Sequence, residues 1–200
     1  MVFIKKLGRP IFTSHELATI SGKSASTIVQ SLNRLARQGL LAKIYRGVWA
    51  EAGPRALSPF EVIAHLFPRQ RVYVSFISAL HLHGILEQIP QVITLASTSH
   101  SSTICTKAGV FSIHQIAPAF FDGFDWYKGD GSFLIAEPEK ALADYLHFVD
   151  IKQHSLNDRL RLKKINRQKL VAYAKLFNSP SLLKLIDMVY AEQRKPHTIY

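Results

Sequence analysis

Ser24 to Trp49, SASTIVQSLNRLARQGLLAKIYRGVW, constrains this chain more than any other stretch. With Ser24 as the N-cap, Ala25, Ile28, Val29, Leu32, Leu35 and Ala36 recur at helical period and form one apolar face. Ser26, Thr27, Gln30, Arg34 and Arg37 take the opposite face. Gly39 follows the helix, where a left-handed backbone is needed. Leu40–Ile44 and Val48–Ala50 are short apolar-rich runs around a Tyr45-Arg46-Gly47 turn, so a hairpin is expected.

Just upstream, Thr13 and Glu16 form a capping box. They predict a short helix over Ser14–Ile20 that buries Leu17, Ala18 and Ile20, with Ser21-Gly22-Lys23 as a tight turn. A capped helix, a glycine-bearing turn, a second helix and a cationic hairpin make a winged helix-turn-helix, whose second helix such folds lay in the DNA major groove. Gln30, Arg34 and Arg37 lie a turn apart on that helix. Gln pairs with adenine, and Arg with guanine, through bidentate contacts. Ser24, Ser26 and Thr27 place hydroxyls and free backbone amides at the helix start, which suits a phosphate. Lys43 and Arg46 on the hairpin would straddle a backbone or reach a minor groove. The competing reading of the same face is a solvated surface on a domain used for protein contacts.

Charge favours nucleic acid. The formal net charge of +11 is concentrated at the two ends. Residues 1–55 hold nine Lys/Arg against two Asp/Glu, residues 56–150 five against nine, and residues 151–200 eleven against three. Basic ends around an acidic middle suggest two polyanion-facing regions, or one such region and an acidic protein partner. The single cysteine, Cys105, excludes a disulfide framework or a zinc-finger spacing within the chain. The opening MVFIKKLGRP has no apolar core for a signal peptide, and no run approaches a membrane span. A cytoplasmic protein with no membrane contact is expected.

Beyond the hairpin, residues 51–57 read as a linker. A second capping box, Ser58 with Glu61, opens a helix to about Leu66 that Pro68 ends. Arg71–Val74 is a short strand, and Ser75 caps a helix over Phe76–His83 that Gly84 stops. Gln91–Ser97 is a β-branched strand. Thr103–Lys107 and Val110–Gln115 flank Ala108-Gly109 as a hairpin, and Ala117–Gly131 is a loop. Phe133–Ala136 is a strand, and a helix from Glu139 to about Val149 buries Ala141, Leu142, Tyr145, Leu146 and Val149. Two basic helices close the chain, one capped by Asn166 and one opened by Ser179-Pro180. The fold class is α+β: a winged helix-turn-helix over residues 1–52, then an α/β domain over 58–200 with a small mixed sheet and basic helices from about 155.

Three segments together resemble the AbiEi family, the antitoxins of type IV toxin–antitoxin and abortive-infection systems. The first is Phe12–Trp49, ending in a Gly47-Val48-Trp49 wing. The second is YVSFISALHLHG over Tyr73–Gly84, followed by the apolar strand Ile93–Thr98. The third is AEPEKALAD over Ala136–Asp144. Relatives often carry a basic cluster after the strand, whereas this chain has Ser99-His100-Ser101-Ser102-Thr103, so no nucleic-acid contact is carried over to that loop. The resemblance implies an N-terminal domain that binds inverted repeats in its own promoter, on double-stranded DNA, and represses its operon. It implies a second domain that neutralises a cognate nucleotidyltransferase-like toxin, in many members without a stable complex. Lys140 and Asp144 are the candidate antitoxin-motif residues; their plainer reading is a charge pair four residues apart at a helix start.

No catalytic constellation stands out. His81 and His83 are two apart and point to different sides of a helix. Gly131-Ser132 with Asp144 is similar to a nucleotidyltransferase signature, but position 146, where a second metal-holding carboxylate belongs, is Leu146. Glu137, Glu139 and Lys140 miss a nuclease-like spacing, and Cys105 has no neighbouring base. The reading is a non-enzyme with no metal and no cofactor. Two alternatives stay open: a winged-helix regulator without a toxin partner, and a nucleic-acid-processing enzyme.

Overall fold

The computed structural model describes residues 2–53, 57–129, 132–152, 156 and 160–192, and its class is mixed α+β. The first layer runs α1 (Val2–Leu7), β1 (Ile11–Thr13), α2 (Ser14–Ser21), α3 (Ala25–Arg37), β2 (Leu41–Tyr45) and β3 (Val48–Glu51). Helix α2 starts where its capping box requires. Thr13 Oγ1 accepts from the Glu16 amide at 3.1 Å, and the Glu16 carboxylate accepts from the Thr13 amide at 2.7 Å. Helix α3 starts at the Ser24 cap, whose hydroxyl accepts from the Thr27 amide. It ends before Gly39, at φ 74°, a left-handed turn that costs glycine little.

Two elements of this layer had no sequence forecast, α1 and β1. Strand β1 exists because β3 pairs with it antiparallel, Ile11 opposite Ala50 and Thr13 opposite Val48. A three-residue strand set by a partner so far along the chain leaves no local periodicity. The resulting sheet has the order β1-β3-β2. Its hairpin turn is tighter than expected. Tyr45 stays in β2, and Arg46-Gly47 alone makes the turn, with Gly47 at φ 78°. Register slips between Lys43 and Tyr45, so Ile44 is a bulge residue.

Alternation along these strands feeds two cores. Phe12, Leu41 and Trp49 face the helices and pack with Ile4, Leu17, Ile28 and Leu32. Ile11, Ile44, Val48 and Ala50 face the other way and join the large core of the rest of the chain. Three expectations fail at the margins of this layer. Ile20 is 47% exposed at the end of α2, Ala25 is exposed in the first turn of α3, and Leu40 precedes β2 and is exposed. Each lies at an element end, where the helical or strand pattern continues past the surface that can be covered.

After residues 54–56 of the expected linker, which fall outside the described residues, the Ser58–Glu61 box opens a 3-10 turn over Pro59–Val62 rather than an α-helical one. Then come α4 (Ile63–Leu66), β4 (Val72–Val74), α5 (Phe76–Leu82), β5 (Val92–Ser97), β6 (Ser102–Thr106) and β7 (Gly109–Gln115). β8 (Phe124–Trp126), β9 (Leu134–Ala136), α6 (Pro138–Lys152), α7 (Arg167–Leu176) and α8 (Pro180–Glu192) complete the order. The six strands form one mixed sheet, β6-β7-β5-β4-β9-β8, parallel at β5–β7 and β4–β9. The segment 117–131, expected as a loop, contains a 3-10 turn and the edge strand β8, which pairs with β9.

Helix α6 is the pillar of this layer. Nine of its residues are buried, from Glu139 through Leu146 to Val149, and α5, α7 and α8 pack around it. The two layers meet at the hairpin. The Lys107 amide, in the β6–β7 turn, donates to the Ile44 carbonyl at the β2 bulge, at 3.1 Å.

Candidate nucleic-acid interface

The residues forecast to face DNA occupy one exposed surface. Ser24, Ser26, Thr27, Gln30, Arg34 and Arg37 are all exposed along α3. Ile28 and Leu32, on the opposite side, are buried and hold the helix down. At a rise of about 1.5 Å per residue, Gln30 to Arg37 covers about 10 Å, roughly three base pairs of duplex. Hydroxyls crowd the helix start: Ser24 Oγ lies 2.8 Å from Thr27 Oγ1 and 3.0 Å from Ser26 Oγ. Free amides and the positive end of the helix dipole lie at the same point, an arrangement that holds phosphate.

The hairpin adds cations beside this helix. Lys43 and Arg46 are exposed, and the Lys43 ammonium stands 5.6 Å from the centre of the Trp49 ring. The turn is anchored, since the Ser14 amide donates to the Gly47 carbonyl at 2.9 Å. Arg46 therefore sits beside the first turn of α2. Among the described residues, Arg34, Arg37 and Arg46 have no carboxylate partner. Three arginines elsewhere do, Arg9 with Glu16, Arg161 with Glu87 and Arg167 with Asp187, whereas Arg71 lies against the Phe121 and Phe124 rings.

Lys140 and Asp144 lie far from this surface in character. They are four residues apart on α6, as their spacing requires, but each is only 1% exposed. The Lys140 ammonium pairs with Asp144 Oδ1 and donates to the Tyr73 hydroxyl at 3.0 Å. Tyr73 and Ser75 donate to Asp144 Oδ2 at 3.1 and 2.7 Å. Burial lowers the Lys140 amine and raises the Asp144 carboxyl toward their neutral forms, while each partner's charge opposes that drift. The Tyr73 hydroxyl is also raised, first by burial and then by the Asp144 charge, so it stays protonated as a donor. The charge pair expected at the helix start is present but buried, and the expected Ser75 helix cap is redirected. The Ser75 hydroxyl makes no cap bond to α5 because it is turned to Asp144. The next residue, Phe76, takes φ 54°, a strained value for a bulky side chain, held by packing against His114 and Phe148. The sequence puts Tyr73 in a strand and Ser75 at a helix start but does not show that both bond Asp144, because that partner lies about seventy positions along the chain.

The histidines and acids weighed for catalysis are engaged in structure. His81 Nδ1 lies 3.2 Å from the Leu86 carbonyl, and His83 Nε2 lies 2.8 Å from the Ala136 carbonyl. Glu137 accepts from Tyr173 and pairs with Lys169, and Glu139 accepts from the Asn166 amide. These acids dock α7 onto α6. Leu146 is in the core, Gly131 lies outside the described residues, and Cys105 is exposed on edge strand β6. Among the described residues no three His, Cys, Asp or Glu side chains gather as a metal site, and no helix is long and apolar enough to cross a membrane.

Compared with known protein families, residues 5–52 match the family described as transcriptional regulator, AbiEi antitoxin. The matched span covers the α2–α3 unit and the hairpin, and it supports the AbiEi resemblance there. The motifs at 73–84 and 136–144 lie outside it. No curated protein matches the chain.

Proposed function

We propose that this chain, whose residues 5–52 carry the AbiEi antitoxin regulator signature, is a double-stranded-DNA-binding autorepressor that acts as a winged helix. The observation that carries this reading is the unpaired cationic face of α3. Arg34 and Arg37, with Gln30 on the same exposed face, follow a hydroxyl-rich helix start, and among the described residues no carboxylate neutralises the two arginines. Helix α3 enters the major groove, Arg34 and Gln30 read base edges, and Ser24, Ser26 and Thr27 hold a phosphate. Lys43 and Arg46 clamp the adjacent backbone, with Arg37 beside them. Inverted repeats upstream of its own gene are the operator in this reading.

The second half of the proposal is antitoxin action in the cytoplasm against a nucleotidyltransferase-like toxin, without catalysis, metal or cofactor. The family match supports it through the antitoxin named there. In this reading the buried Lys140–Asp144 pair serves the shape of the second layer rather than toxin contact.

Fluorescence anisotropy on the DNA upstream of the gene, against scrambled DNA at two salt concentrations, tests the first half. Upstream-selective binding that weakens steeply with salt is expected. Equal, weak binding to both DNAs would overturn it. Co-expression with the nucleotidyltransferase gene nearest its own tests the second half, with rescue of growth as the expected result.

A further inference from the structure

The geometry points to Lys107, from the six-stranded layer, as a third backbone-clamping cation beside the wing. The DNA footprint would then extend past the helix-turn-helix. This rests on the DNA-binding reading above and deepens it.

The wing does not end in solvent on all sides. Its bulged strand β2 turns the Ile44 carbonyl outward from the sheet β1-β3-β2, and the Lys107 amide closes on it at 3.1 Å. That bond sets the Lys107 backbone against Ile44, which is one residue from Lys43 and two from Arg46 in sequence. The turn that presents Lys107 is internally tied. Thr106 Oγ1 accepts from the Ala108 and Gly109 amides at 3.0 and 3.2 Å and donates to the Gly109 carbonyl at 2.9 Å. The Lys107 side chain is exposed, and among the described residues it has no carboxylate partner. An ordered cation costs less conformational entropy to fix on a phosphate than one on a free loop. The acidic middle of the sequence therefore contributes a cation where it touches the basic N-terminal layer. Phosphodiester is the ligand class this geometry takes, because an isolated ammonium offers a point charge and no base-specific fork.

The test is anisotropy on upstream and scrambled DNA with Lys107→Ala, Lys107→Arg, Lys43→Ala and Lys128→Ala. The seam bond uses the Lys107 backbone, so the alanine variant keeps it. Lys128 follows β8 at the far edge of the sheet and removes the same charge from a remote place. Losing one phosphate contact lowers the salt slope by about one and weakens binding roughly eightfold near 0.1 M salt, on both DNAs alike. That loss is expected for Lys107→Ala, with recovery in Lys107→Arg and no change in Lys128→Ala. Equal losses at positions 107 and 128 would reduce the effect to bulk charge and overturn the inference. Full binding by Lys107→Ala beside a loss in Lys43→Ala would overturn it while leaving the wing in place. Absence of upstream binding by the unaltered protein would overturn both the inference and the reading beneath it.

Discussion

The charges of α3 and those of α6 follow opposite rules. On α3, Arg34 and Arg37 stand in solvent with no neutralising partner among the described residues, and the apolar side of the helix alone secures it. On α6, Lys140 and Asp144 are withdrawn from water, and every hydrogen bond they make is internal. A cation left unneutralised at a surface is free for a polyanion. A charge neutralised inside specifies which elements meet, here β4, α5 and α6. The comparison shows why a charge pattern in sequence has no function until burial is known. Both pairs recur at helical spacing, and only tertiary packing separates them.

The largest effect that would break this contrast lies in α6. Asp144→Ala leaves the Lys140 ammonium, the Tyr73 hydroxyl and the Ser75 hydroxyl without their acceptor. A loss of about 3–5 kcal/mol in urea unfolding is expected. Replacing the whole group with Lys140→Met, Asp144→Leu, Tyr73→Phe and Ser75→Ala should recover most of that loss, because no buried polar atom is then stranded. A cost below about 1 kcal/mol for Asp144→Ala would mean that the pair behaves like a surface pair.

The converse holds on α3. Arg34→Ala should leave unfolding within about 0.5 kcal/mol of the parent, as an exposed substitution does. It should weaken upstream DNA by about 1–3 kcal/mol more than scrambled DNA in anisotropy titrations. Lys43→Ala should weaken both DNAs alike. Equal losses from the two variants on both DNAs would erase the division between base-reading and backbone-holding cations.

Two smaller effects sharpen the picture. Thr13→Ala breaks the capping box of α2 and should lower stability by about 1 kcal/mol, measured by thermal melting. Acid should destabilise the protein before its carboxylates titrate. Burial holds the His114 and His65 imidazoles below the ordinary value of 6.5, with Lys152 repelling the first and Glu16 partly offsetting the second. The unfolded chain therefore binds protons more readily than the folded one. Their contribution is complete above pH 6.5 and is lost as the pH falls through that value toward the folded one. A melting temperature that declines between pH 7 and 5.5, less steeply in His114→Phe, is the expected signature.

How far the sequence could be read depended on how local each signal was. The helices α2, α3, α6, α7 and α8 were legible because caps at Thr13, Ser24 and Asn166 and runs such as Leu170, Val171 and Ala174 act within a few residues. Strands β1 and β8 were not, since neither Ile11–Thr13 nor Phe124–Trp126 has the apolar run of β4 and β9, and each is set by its partner strand. The exposed face of α3 was legible for the same reason as the helix itself. The burial of Lys140 and Asp144 was not, because a spacing of four residues looks the same in a core and on a surface. The Ile44–Lys107 seam left no trace in sequence, as it depends on a backbone carbonyl at a bulge.

The back of the β1-β3-β2 sheet also limits how this protein could be re-engineered. Ile11, Ile44, Val48 and Ala50 turn away from α3 and are buried in the core of the other layer. A chimaera that borrows a foreign N-terminal layer must therefore inherit these four side chains, or replace them with others of matching volume, although none of them lies on the exposed face of α3. Transplanting α3 alone, between Ser24 and Gly39, leaves that joint untouched and is the cut at which operator preference should be exchangeable.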